Sequence, residues 1–215
     1  MAVPMFSKPS FISLGAALGA WALVLPPVLA HDPHAHHQQV ATQPVAAQSA
    51  RVALPDTALL DQDGRSLRFK SDLVGERIVI VDFIYTTCTT VCPVVSATLA
   101  QVQGQLVDRL GRDVALLSVT VDSVRDTPAR LKDYATRLGS GPGWSWLTGA
   151  KPQVDEVLKA LGAYTPNFVD HPPLVLVGDA KTGQWLRFYG FPSAEQLVKA
   201  VADLTAARAK AGAAG

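Results

Sequence analysis

A chain of 215 residues has room for one domain of about 150 residues plus terminal extensions, enough to bury a continuous core. Its 19 basic and 18 acidic residues nearly cancel, so charge gives no ground for a nucleic-acid partner. Two cysteines are too few for a disulfide scaffold, and their close spacing points to redox or metal chemistry instead.

Residues 1–30 carry a lone Lys8, then Phe11 to Ala30 without a charge, ending Val28-Leu29-Ala30. A basic start, an apolar centre and small residues at the end predict a secretory signal cleaved after Ala30. The rival reading is an uncleaved membrane anchor, since the apolar stretch is nearly long enough to span. Pro26 and Pro27 interrupt a helix there and favour cleavage. On either reading the domain is exported: periplasmic, and held at the inner membrane if the segment is kept. Residues 31–53, rich in His, Gln, Ala and Pro without apolar periodicity, predict a flexible tether. Its histidines, His31, His34, His36 and His37, either scavenge metal weakly or are incidental.

The domain proper is expected over residues 54–207. From Thr57 to Phe69 the chain alternates around Asp63-Gly64, a hairpin signal. Ile78 to Ile84, broken only by Asp82, reads as a strand buried on both faces of a sheet. A threonine-rich loop bearing Cys88 and Cys92 follows, and Pro93 opens a helix. Val95, Leu99, Val102, Leu106 and Leu110 recur at helical spacing up to a stop at Gly111. Val114 to Val121 is a second buried strand, which makes a right-handed strand–helix–strand unit. Thr127-Pro128 starts the next helix, stopping near Gly139. Trp144 to Leu147 reads as a short strand, and Pro152 to Leu161 as a helix. His171-Pro172-Pro173 then leads into an antiparallel hairpin of Leu174–Val177 and Gln184–Tyr189, turned at Lys181–Gly183. Ser193 and Gln196 form a capping box for a last helix to about Ala207, and residues 208–215 are expected to be disordered. The fold class is α/β: a mixed central sheet with helices on both faces, a thioredoxin-like layout.

Cys88 and Cys92 are an i, i+4 pair at a strand-to-helix junction, where the helix dipole favours thiolate. That pair can close a disulfide, coordinate one metal ion jointly, or be merely structural. His171 is the only histidine outside the N-terminal tract and is presented from a proline-stiffened loop that can face the cysteines. Two thiolates and one imidazole suit Cu(I), and the nitrogen also admits Cu(II). A structural zinc site would want a fourth protein ligand. Both methionines, Met1 and Met5, lie in the leader, so a thioether copper site is excluded after cleavage. Asp122 and Asp126 close the second buried strand. They either support the site or transfer protons, or else Asp126 caps the next helix and Asp122 ends the strand. Tyr85 either screens the thiols from water or packs.

The order Asp-Phe-Ile-Tyr-Thr-Thr-Cys-Thr-Thr-Val-Cys-Pro, Ser-Val-Thr-Val-Asp with Arg-Asp-Thr-Pro, Trp-Leu-Thr-Gly, then Val-Asp-His before a strand resembles the SCO/SenC family. Members of that family are exported copper-binding proteins used in building the binuclear copper centre of cytochrome c oxidase. The resemblance implies a thioredoxin fold with copper held by Cys88, Cys92 and His171. Two departures stand out: Thr89 replaces the proline that many members have after the first cysteine, and Pro172-Pro173 replaces a small polar residue. Pro172 falls where thioredoxin-like proteins carry a cis-proline, so a cis His171–Pro172 bond is expected.

The expected function is a monomeric, exported metallochaperone. It would deliver copper to the copper-site subunit of cytochrome c oxidase, or to another copper or thiol protein. The alternative is a thiol–disulfide oxidoreductase that keeps partner cysteines reduced. A thiol peroxidase is the third reading, though no further resolving position is present.

Overall fold

Residues 44–213 are described by a computed structural model. In chain order they form β1 (Ala47–Ala50), β2 (Ala58–Leu60), β3 (Ser66–Arg68), β4 (Ile78–Ile84), α1 (Val91–Gln105), β5 (Val114–Thr120) and α2 (Pro128–Arg137). Then come β6 (Trp144–Leu147), α3 (Lys151–Leu161), β7 (Leu174–Asp179), β8 (Gln184–Tyr189) and α4 (Ala194–Ala213). A π-helical turn, Phe69–Val74, follows β3, and a 3-10 turn, Phe168–Asp170, precedes His171.

Six strands make one mixed sheet in the order β1-β8-β7-β4-β5-β6, with β4, β5 and β6 parallel and the others antiparallel. The β2–β3 hairpin stands apart and touches the sheet through an antiparallel bridge between Leu60 and Thr148. Both β4 and β5 are buried along their whole length, which explains their continuous apolar runs. Successive residues point to opposite faces. Ile78, Ile80 and Ile84 join one core with Leu99 of α1, Leu131 of α2 and Leu197 of α4. Val79, Val81 and Phe83 join the other with Val157 of α3, Leu59 of the hairpin and Phe69. Each such aliphatic side chain contributes about 1.5–3 kcal/mol on burial, and this double layer holds the loops at the sheet's end in place.

Four expectations need correction. The tether does not extend unbroken to residue 53: Ala47–Ala50 pairs with β8, since a free sheet edge offers backbone hydrogen bonds to any segment. α1 starts at Val91 and ends at Gln105 rather than running from Pro93 to Gly111; Leu106 and Leu110 are buried through a series of turns, so apolar spacing persists beyond the helix. α4 continues to Ala213, past the expected limit at Ala207, and Arg208 on it makes a two-nitrogen ion pair with buried Asp179. The His171–Pro172 peptide is trans, with His171 at φ −64° and ψ 120°. That extended backbone relieves the clash with the proline ring, and trans is the lower-energy form of an X–Pro bond. The expected signal or anchor in residues 1–30 and the histidines at 31–37 lie outside the described residues. Among the described residues no helix is long and apolar enough to cross a membrane.

Candidate metal centre

The threonine loop after β4 carries both cysteines into the first turn of α1. Thr90 is the N-cap residue, but its side chain makes no cap bond. The Cys88 sulfur takes that place, accepting the Cys92 N–H at 3.3 Å. Both cysteines are free and buried. Burial pushes the Cys88 thiol up, yet the Cys92 thiol, the N–H groups of Cys92 and Thr90, and the Tyr85 hydroxyl together bring it down to about 7. Burial and the neighbouring Cys88 sulfur push Cys92 well above the ordinary thiol range. The pair is therefore asymmetric: one sulfur is ready as thiolate, and the other retains its proton until it is displaced.

His171 reaches the same place from β7, the neighbour of β4 on the side away from β5. β7 runs antiparallel to β4 with Val175 opposite Asp82, so the residues just before β7 stand beside the end of β4. Phe83, Tyr85, Cys88, Cys92, His171 and Pro173 line one small cavity of about 60 Å³. The His171 ring packs against Phe83 with centroids 5.4 Å apart, and its Nε2 is buried without a hydrogen-bond partner. Burial alone lowers the imidazole to about 4, so it is neutral and available as a ligand at physiological pH. The donor set fits a soft ion: two sulfurs and an orphaned nitrogen around one cavity. Among the described residues, no three His, Cys, Asp or Glu side chains stand close enough to hold one ion between them. The trio shares a cavity, and its members must draw together to share an ion.

Asp126 does more than precede a helix. Its carboxylate accepts the Thr86 N–H at 3.1 and 3.2 Å, the Thr86 hydroxyl at 2.5 Å and the Thr120 hydroxyl at 2.6 Å. It thereby ties the cysteine loop to the end of β5, while Thr127 caps α2 by accepting from Arg130 N. Asp122 does not line the cysteine cavity; it pairs with Arg125 at 3.0 Å. Arg125 lies over the Phe168 ring, and Phe168 meets Tyr85 edge-on. Tyr85 itself lines the cavity, and burial together with the two sulfurs raises its hydroxyl to about 12.

In the sequence Asp82 shows only as a break in an apolar strand. It is fully buried, accepts from Ser118 Oγ at 2.5 Å and leaves Oδ2 without a partner. Ser118 in turn accepts from Trp144 Nε1 at 2.9 Å. Burial raises Asp82 to about 7, and its charge is among the influences that push Cys92 up. An acid inside a strand buried on both faces was the available signal.

A mixed sheet of this order, with a buried cysteine pair at the start of its first crossover helix, defines a thioredoxin-like protein. The chain belongs to the SCO1/SenC family, whose profile matches residues 46–206. The SenC protein of Rhodobacter capsulatus is 30% identical over 158 residues, spanning 70% of this chain and 68% of that protein. Two further curated relatives are matched over about half of their own length. Yeast Sco1 solved with copper bound is similar at TM-score 0.59 and 25% identity, over 72% of this chain and 88% of that one. Copper-bound ScoI of Bradyrhizobium japonicum is similar at TM-score 0.53 and 27% identity, over 73% and 98% respectively.

Proposed function

We propose that this chain is an exported copper carrier that holds the ion through Cys88, Cys92 and His171 and passes it to the copper site of cytochrome c oxidase. One observation carries the reading: His171, whose buried Nε2 has no hydrogen-bond partner, lines the same cavity as both thiols. An orphaned polar nitrogen in such a place is costly unless a ligand completes it. Similarity to Sco proteins solved with copper supports the choice of ion. Residues 1–30 are the export signal in this reading, and the segment after them is a tether.

Loading begins with Cys88, already close to its thiolate form. Cys92 gives its proton to solvent as the second sulfur–copper bond forms, and neutral His171 supplies the nitrogen without losing a proton. Delivery proceeds by ligand exchange, the acceptor's donors replacing Cys88, Cys92 and His171 in turn. Oxidation of the pair to a disulfide removes two of the three ligands, so the chain must be reduced to load. Asp126 and Tyr85 hold the loop and cover the cavity during this exchange.

The acidity of Cys88 also favours a second reading, thiol–disulfide exchange, in which Cys88 attacks and Cys92 resolves. Anaerobic titration of the reduced chain with Cu(I) against a competing chelator separates the two. The copper reading expects one tight equivalent, weakened at least about tenfold in His171→Ala. Absence of tight Cu(I) binding, with partner-disulfide reduction equal in wild type and His171→Ala, would establish thiol exchange instead.

A further inference from the structure

We propose that Phe168 is the residue that positions His171 for copper: its ring, held by Tyr85 and Arg125, keeps the turn before His171 against the thiols and so sets how tightly the ion is bound. This rests on the copper-carrying reading above. It also gives Arg125 and Asp122 a task at the site, although neither lines the cavity of the two cysteines.

His171 lies between the end of α3 at Leu161 and the start of β7 at Leu174, a stretch whose regular structure is the 3-10 turn Phe168–Asp170. A donor on such a stretch depends on anchors at either side of it. Downstream, Gly190 N donates to Pro173 O at 2.9 Å, which fixes the chain after the histidine to the end of β8. Upstream, His171 N donates to Phe168 O at 3.2 Å, so the histidine backbone follows Phe168. Asn167 Nδ2 donates to Asp170 Oδ2 at 3.0 Å, a bond inside the turn that stiffens it. The ring of Phe168 is what attaches the turn to other loops. It meets Tyr85 at 5.1 Å and 76°, and the Arg125 guanidinium lies over it at 5.5 Å. Tyr85 opens the cysteine loop directly after β4. Arg125 stands in the loop between β5 and α2, where Asp122 holds it at 3.0 Å. An edge-on aromatic partner and a cation over the face both select an aromatic side chain at this position.

The turn is also a partition. Val169 and His171 border the cavity of the thiols, while Phe168, with Arg125, Thr165 and Pro166, borders a second cavity of about 280 Å³. That space gives the turn room to swing away from the cysteines once the ring lets go. The contact of the His171 ring with Phe83, at 5.4 Å, is then lost as well. Cys88, Cys92 and His171 must still draw together to share an ion, so the resting place of the turn enters the affinity directly. Apparent affinity falls with the fraction of molecules whose histidine faces the thiols. Removing the ring lowers that fraction and leaves both sulfurs in place.

The test is Cu(I) titration of the reduced full chain against a competing chelator, arranged as a double-mutant cycle. Phe168→Ala should weaken binding about tenfold. Arg125→Gln, which keeps the ring and removes the cation over it, should weaken binding about threefold, and Phe168→Tyr should bind as the wild type does. In a His171→Ala background, Phe168→Ala should change affinity by less than about twofold, because the histidine it positions is gone. The thiolate-to-copper absorption of the Cu(II) form should shift in Phe168→Ala toward its position in His171→Ala. Phe168 is half-buried on a surface turn, so the variant should fold, as denaturant unfolding will report; if it does not, Arg125→Gln carries the same cycle. An equal loss in both backgrounds, or no loss in the wild-type background, would overturn the proposal and leave the copper-carrying reading intact. A chain that takes no Cu(I) tightly, or takes it equally well with and without His171, would overturn both.

Discussion

At the scale of single residues, the site works by placing identical groups in unequal surroundings. Cys88 accepts hydrogen bonds from the start of α1 and sits near 7, while Cys92, deeper and beside Cys88, is pushed up. Alkylation of the reduced chain, read peptide by peptide, should show Cys88 reacting with a midpoint near pH 7 and Cys92 staying slow up to pH 9. Equal rates would show that the asymmetry is absent. Asp82 makes a second prediction. Its folded value of about 7 lies above the ordinary 3.8, so the folded chain retains a proton that the unfolded chain has lost. Its effect on stability is most favourable below about pH 4 and is lost as pH rises toward 7. Relative to Asp82→Asn, the wild type should therefore lose on the order of a few kcal/mol between these limits, measured by denaturant unfolding. His171 shifts stability in the opposite direction but does so in both proteins, so it cancels in the comparison. Parallel curves would refute the assignment.

At the scale of elements, the decisive joint is the one between β4, the cysteine loop and α1. Pro93 lies in the first turn of α1, where no helical hydrogen bond is lost. The loop is held from outside by Asp126, across a separation of forty residues from Thr86. Asp126→Ala would strand the Thr86 N–H and two hydroxyls, each worth about 1–3 kcal/mol when buried without a partner. The expected result is a loss of roughly 3 kcal/mol in denaturant unfolding and faster amide exchange at Thr86. Unchanged exchange there would mean that the loop is held by something else. The other end of the chain shows how little local signal an edge strand needs. Ala47–Ala50 has no β-branched residue, and it is a strand because β8 offers it an edge and Gln196 clamps Val45 before it.

At the scale of the whole described domain, the parts written in near-neighbour patterns were legible from the residues alone. Ile78–Ile84 and Val114–Thr120 announced buried strands, Thr127-Pro128 a helix start, and Ser193 with Gln196 a reciprocal cap that the structure bears out at 3.1 and 3.3 Å. Cys88 and Cys92 could be placed at a helix mouth because the strand, the loop and Pro93 are contiguous. The Asp126 brace, the place of Asp122 beside Arg125 and the orphaned carboxylate oxygen of Asp82 were not legible, because each depends on partners supplied by other strands and loops. Periodicity, capping and turn chemistry act within a few residues, so sequence by itself determined most of the elements, the thiol pair and the class of sheet, but not β1, which exists because β8 offers an edge. Bringing His171 to those thiols, and the start of β1 to the same end, took the antiparallel pairing of β4, β7, β8 and β1. Register between strands dozens of residues apart is set by which faces bury together, and only the folded sheet decides that.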